Sequence, residues 1–246
     1  MSDVPGSADE ALRRLRSLGL ADADAQALEA HFADADRRGK HAHGYARIPW
    51  LETQSFDPRA RPQHLGLLSG IDRWHGAGAL GYLVLAAVCE EVETHPPAGP
   101  RLVVAESCFP TGALGHWARR LALAGLVAVV TATSPRRLGH PDGGPDLTGT
   151  NPLAIGVPTS VGDPVVVDVS MGAVTHGDVL AGRALPEELV PFGGEQAYKA
   201  FALAVGLELL VGALAGCEHG AVVLVLPPAH DPVPAFRALA GGVPLP

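Results

Sequence analysis

The chain has 246 residues, 47% of them hydrophobic, and a mean hydropathy of +0.19, so it can bury a substantial core and a mainly disordered state is excluded. Its formal net charge is −8 and its arginine doublets (Arg13-Arg14, Arg37-Arg38, Arg119-Arg120, Arg136-Arg137) are scattered, which argues against nucleic acid or a membrane surface as partner and reads each doublet as a solvated helix end or face. Three cysteines without paired spacing (Cys89, Cys108, Cys217) suggest neither a disulfide framework nor a metal site, and the polar start Met1–Glu10 lacks a signal-peptide core, so a cytoplasmic location is expected.

Residues Ser7–Arg38 read as two helices, with Leu12, Leu15 and Leu18 on one face, then Leu28, His31 and Phe32, and with Gly19 and Gly39 at the ends. Gly39–Pro62 reads as loop with short extended pieces. An N-terminal helical part over residues 1–62 is therefore expected to precede an α/β part over residues 63–246, all in one domain. Ser69–His75 makes no convincing strand. Gly76–Val92 reads as helix, Leu102–Ala105 as strand, Gly112–Gly125 as helix and Leu126–Thr131 as strand. Ser134–Asn151 is a long Gly/Pro-rich loop, Pro164–Val169 a buried-type strand, and Gly172–Glu188 irregular. Glu195–Leu214 is the strongest helix, because Phe201, Val205, Leu209 and Ala213 recur every four residues. Val222–Leu226 closes as strand and Pro232–Leu239 as a short helix. The apolar run near Phe201–Ala215 is too short, uninterrupted, for a membrane span of ~18 residues. Strand–helix alternation gives the α/β class.

Gly76-Ala77-Gly78-Ala79-Leu80-Gly81 fits GxGxxG, but that pattern binds a dinucleotide only after a strand and with an acid about twenty residues on, and neither is read here. It is taken as a helix start. His41, His43 and Arg47 follow the second helix; Arg is suited to a bidentate grip on a carboxylate and His to proton relay, although on the pattern alone a surface pair without a role is the preferred reading. Gly149-Thr150-Asn151-Pro152-Leu153-Ala154 reads as a turn that presents amide groups, and Asp168 as an acid at a strand end.

Taken together, the 35–47 segment, the Gly149–Ala154 turn and Val166-Val167-Asp168-Val169-Ser170 resemble the malate/L-lactate dehydrogenase-like family, which includes ureidoglycolate dehydrogenases and piperideine- and pyrroline-2-carboxylate reductases. The resemblance implies a non-Rossmann α/β fold, a mixed sheet flanked by helices, NADH or NADPH as cofactor, a small carboxylate substrate and a homodimer. It places His43, Arg47 and Tyr198 among catalytic residues and Ser134, Thr150, Asn151, Pro152 and Asp168 along the cofactor; no metal is expected. Three departures stand out. Pro110 occupies the place of the family's proton-transferring His, Gln196 that of a Lys, and Asp178 that of a cofactor-side Lys. The chain is also about a quarter to a third shorter than family members, so it reads as a truncated form. His116, His140 and His75 are poor substitutes for the lost acid. The expected function is reduction of a cyclic imine or 2-keto or imino acid in specialised-metabolite biosynthesis. The alternative is a scaffold that has lost redox chemistry and serves as an isomerase, a cyclase or a non-catalytic partner.

Overall fold

The computed structural model describes residues 3–246; Met1 and Ser2, the first residues of the polar start, lie outside them. Helix α1 (Ala8–Ser17) is capped by Ser7, whose side chain accepts from the Glu10 amide, with Asp9 and Glu10 in the first turn and Arg14 and Arg16 in the last. Helix α2 (Asp22–Arg37) buries Ala25, Leu28, His31, Phe32 and Ala35. Two 3₁₀ turns, His41–His43 and Tyr45–Arg47, and a short helix α3 (Ile48–Leu51) follow, where extended pieces were expected.

From residue 63 onward a single seven-stranded sheet organises the chain. Its strands are β1 (Gln63–Leu68), β2 (Ile71–His75), β3 (Arg101–Glu106), β4 (Val127–Ala132), β5 (Leu153–Val157), β6 (Val165–Val169) and β7 (Gly220–Leu226), in the order β1-β2-β3-β7-β4-β5-β6. Only β2 and β3 pair in parallel; the other pairs are antiparallel. The expected α/β class with a mixed sheet is the observed one. Helices α4 (Gly81–Thr94) and α5 (Leu114–Leu123) cover one face, and α7 (Ala197–Ala215) covers the other. The period of two along the strands divides the core accordingly: Val103, Ala105, Ala221, Val223 and Val225 join the α4/α5 side, whereas Val104 and Val222 meet Val211 and Ala215 of α7. The short helices α6 (His176–Leu180) and α8 (Val233–Ala240) lie before and after this layer in sequence.

Several expectations are corrected. Ile71–His75 is a strand whose inward positions are Asp72 and Trp74. The buried Asp72 carboxylate hid it from a hydrophobicity pattern, and that charge is satisfied by Arg101 (Nε–Oδ2 2.8 Å) and by His64 at 2.7 Å. A strand therefore does precede Gly76, and β2–α4–β3 is a parallel crossover unit. The glycine serves protein packing: a Cβ on Gly76 would stand 2.1 Å from the Ser107 carbonyl oxygen, so backbone occupies the space over it. Strand β5 and helix α6 also arise within stretches read as turn and irregular. Helix α7 starts upstream of the apolar run that was judged short. By length and composition alone Gly194–Ala215 is long and apolar enough to cross a membrane. One side of α7 instead packs on β3, β7 and β4.

Candidate active site

The His41–Arg47 turn is built around Asp36, at the end of α2. Its carboxylate accepts from the Tyr45 amide at 2.8 Å and lies 2.9 Å from His41 Nδ1. Gly44 makes room for it, since a Cβ there would fall 2.0 Å from Asp36 Oδ1. The Asp36–Arg47 pattern is thus first a folding device that aims His43 and Arg47 inward. Arg47 stacks on Trp50, its guanidinium carbon 3.9 Å from the ring centroid.

The second wall is the loop after β3. Gly81 of α4 donates to the Phe109 carbonyl, His31 Nε2 accepts from the Ala113 amide at 3.0 Å, and Trp117 donates to the Thr111 carbonyl at 2.8 Å. Three helices therefore fix the segment that carries Pro110. Ser134 and the Gly149–Pro152 turn form a third wall. The Ser134 hydroxyl accepts from the Thr150 amide at 3.2 Å, and Thr131 donates to the Pro152 carbonyl at 2.9 Å. The fourth wall is Asp168 at the end of β6 together with α6, where Thr175 and Asp178 make a reciprocal capping box.

These walls enclose a cleft of about 540 Å³, within the range of small-molecule sites. Lys40, His43, Arg47, Tyr82, Pro110, Ser134, Arg137, Thr150, Pro152, Asp168, His176, Asp178 and Arg183 line it. Arg47 Nε is buried without a hydrogen-bond partner, and the buried Tyr82 hydroxyl has Arg47 as its charged neighbour. Burial and the neighbouring Arg47 charge push the His43 imidazole down to about 4, so it is neutral near pH 7. Burial, Arg137 and Arg47 likewise lower His176.

Six of the eight expected site residues meet in this cleft: His43, Arg47, Ser134, Thr150, Pro152 and Asp168. Asp168 is already engaged, 2.6 Å from Lys40 Nζ. The other two lie outside the cleft. Asn151 is fully buried, and its amide is spent: it donates to Glu208 at 2.6 Å and to the Ala204 carbonyl, and accepts from the Ser134 amide at 3.2 Å. The seventeen-residue interval between Ser134 and Asn151 thus records a contact between them. Tyr198 lies on α7, 52% exposed, does not line the cleft, and bonds only Gln196. Asp178 is no bare negative charge, because Arg183 Nε donates to it at 3.1 Å; Thr175 and Arg183 hold its carboxyl below the usual range against the opposing effect of burial. Sequence reading missed Lys40, Tyr82, Arg137, His176 and Arg183. Arg137 sat in a doublet read as surface, and no periodicity marks the others.

A mixed seven-stranded sheet carries a cleft in which, among the described residues, neither Arg47 nor Arg137 has a carboxylate within ion-pair distance. The chain belongs to the malate/L-lactate dehydrogenase family, whose model matches residues 8–189. It is 32% identical over 228 residues to a Δ1-pyrroline-2-carboxylate/Δ1-piperideine-2-carboxylate reductase of Pseudomonas putida, across 80% of this chain and 66% of that one. It is 28% identical over 244 residues to a (2R)-3-sulfolactate dehydrogenase (NADP+) of Chromohalobacter salexigens, across 85% and 71%. The chain thus spans about two thirds of the length of these curated relatives. The crystal structure of Δ1-piperideine-2-carboxylate reductase from Pseudomonas syringae pv. tomato superposes with a TM-score of 0.83 at 25% identity, over 98% of this chain and 90% of that one.

Proposed function

We propose that this chain is an NAD(P)H-dependent reductase of a cyclic imine or 2-keto or imino acid. The observation that carries the reading is the Arg47 guanidinium, with no carboxylate within ion-pair distance among the described residues, in a cleft that Pro110 lines at the expected acid position. The cleft's buried Arg47 Nε and its volume fit a bound dinucleotide's nicotinamide end beside a small acid, and the bound cofactor supplies a hydride. Ser134, Thr150, Pro152 and Asp168 would hold that end. Arg47 grips the carboxylate with two parallel N–H donors, and its stacking on Trp50 fixes the fork. His43, neutral, orients the substrate nitrogen through a ring N–H or lone pair. An iminium arrives protonated: hydride adds to its carbon, C=N becomes C–N, and the nitrogen keeps its proton as the amine. No protein acid is required, so Pro110 is compatible with this chemistry, whereas a ketone would require a proton from elsewhere.

The role in specialised-metabolite biosynthesis, the cytoplasmic location and the homodimer belong to the same proposal. Three free cysteines suit a reducing compartment. The homodimer is supported by the outer face of α7, where Leu203 is 52% and Leu209 66% exposed.

The test is an assay of reduced-cofactor consumption with five- and six-membered cyclic imine 2-carboxylates, and of oxidised-cofactor reduction with lactate, malate and ureidoglycolate. Turnover with the imines and none with the hydroxy acids is expected. The rate should decline with the substrate imine's own deprotonation, not with a protein group near pH 6–7. Robust malate or lactate oxidation overturns the reading. Pro110 also favours the second reading, a scaffold without redox chemistry, which predicts that no substrate in the panel consumes cofactor.

A further inference from the structure

The cleft carries four cations, Lys40, Arg47, Arg137 and Arg183, against two carboxylates, Asp168 and Asp178. Lys40 is spent on Asp168 and Arg183 on Asp178. Among the described residues, no carboxylate lies within ion-pair distance of Arg47 or of Arg137. Two guanidinium groups thus share one cavity uncompensated, in a chain whose formal net charge is −8. Both remain charged at neutral pH. Like charges in a partly enclosed site repel, and an anion placed between them removes that cost.

The Arg137 backbone is pinned. Its amide donates to the Thr148 carbonyl at 2.9 Å, and the next residue, Leu138, is fully buried and bridges to Thr148. Arg136 is exposed, whereas Arg137 is half-buried in the cleft wall. Burial and the Arg47 charge both pull the Arg137 guanidinium down from its ordinary value, so the two groups sense each other across the cavity. His176, at the start of α6, responds to both.

We propose that Arg137 is a second anion-binding group of the cleft. It takes a negative charge beyond the carboxylate gripped by Arg47: the far carboxylate or sulfonate of a dianionic substrate, or a phosphate of the cofactor. This rests on the reductase reading for the identity of the first carboxylate, but the anion site itself does not need turnover.

Two measurements test it, each on wild type, Arg137→Gln and Arg137→Lys. The first is thermal stabilisation by succinate and by propionate, and dissociation constants for NADPH and NADH from cofactor fluorescence; a ligand that binds only the folded state must raise its midpoint. The second is kcat/KM for matched 2-oxo acids with one and two negative groups, such as 2-oxopentanoate and 2-oxoglutarate. A substrate anion predicts that Arg137→Gln loses the succinate stabilisation and at least tenfold in dianion kcat/KM, with the monoanion within twofold. A cofactor phosphate predicts at least a tenfold weaker NADPH, with both acids unchanged. Arg137→Lys should recover part of either loss. Succinate stabilisation lost in Arg137→Gln, with no wild-type turnover of these oxo acids or of the cyclic imine 2-carboxylates, leaves the anion site standing and removes the reductase reading. Values within twofold throughout, in a variant with wild-type unfolding midpoint, overturn the proposal, as does an equal loss for every ligand.

Discussion

At the scale of single residues, the cleft divides its polar groups into those that hold the protein and those left for a ligand. Arg47 belongs to the second set. Arg47→Lys should raise the apparent KM for a carboxylate substrate about tenfold or more, because a point charge replaces a planar fork and loses its stacking on Trp50; wild-type kinetics in Arg47→Ala would remove it from the site. Asn151 belongs to the first set. Asn151→Ala leaves the Ser134 amide without its partner and Glu208 with only the Gly149 amide, so it should cost about 1–3 kcal/mol in denaturant unfolding. An unchanged midpoint would show that the amide does not hold the turn. His43 and Arg47 were legible only through the family resemblance of the 35–47 segment, since their spacing alone is also that of a surface pair. The internal bonds of Asn151 were not legible, since a buried amide and a ligand-binding amide leave the same letter. Arg137 was hidden, because nothing in a pair of adjacent arginines tells which one turns inward.

Among the elements, α7 was the most visible in sequence and carries the clearest consequence. Its small residues, Ala200, Ala204, Val211 and Ala215, face the protein, while Leu203, Leu209 and Leu210 are exposed. A helix apolar on two sides announces itself by composition but does not say which side is inward. A homodimer of twice 25.3 kDa is expected in light scattering, and Leu209→Glu with Leu210→Glu should shift the mass to that of one chain without changing the unfolding midpoint of the monomer. A wild-type mass near 25.3 kDa at micromolar concentrations would refute it. Strand β2 was illegible for the opposite reason: its buried positions hold Asp72 and Trp74 and are completed by Arg101 and His64, partners fixed only by the tertiary fold. Strand β5 was masked by the turn signal that precedes it.

For the whole molecule, the class of the fold followed from the alternation of strands and helices, and its non-Rossmann character only from the family resemblance. The strand order did not follow, because pairing between β7 and both β3 and β4 joins segments far apart in sequence. Acid stability is a property of the whole as well. His31 and His43 are held below their ordinary 6.5, both chiefly by burial. Between pH 6.5 and about 4 the unfolded chain therefore binds protons that the folded chain refuses, and stability must fall as pH falls through that window. Asp34 adds a loss below its ordinary 3.8: burial alone would raise it, but the His116 hydrogen bond and charge, with Arg119 and Arg38, hold it lower. Thermal midpoints should decline steadily from pH 6.5 to 4, and a flat profile would contradict the burial of these imidazoles.

The place of β7 has a consequence for how the chain is made. Strands β3 and β4 run parallel with a vacant lane between them, and only residues 220–226 fill it. At about 5–20 residues per second the ribosome leaves both edges open for seconds after each strand has emerged. During that interval Val103, Val104, Val129 and Val130 offer unpaired backbone to any passing strand. Nascent chains should therefore depend on chaperone cover until β7 arrives, and a ribosome-bound fragment stalled before Gly220 should remain sensitive to protease where the full-length chain resists it.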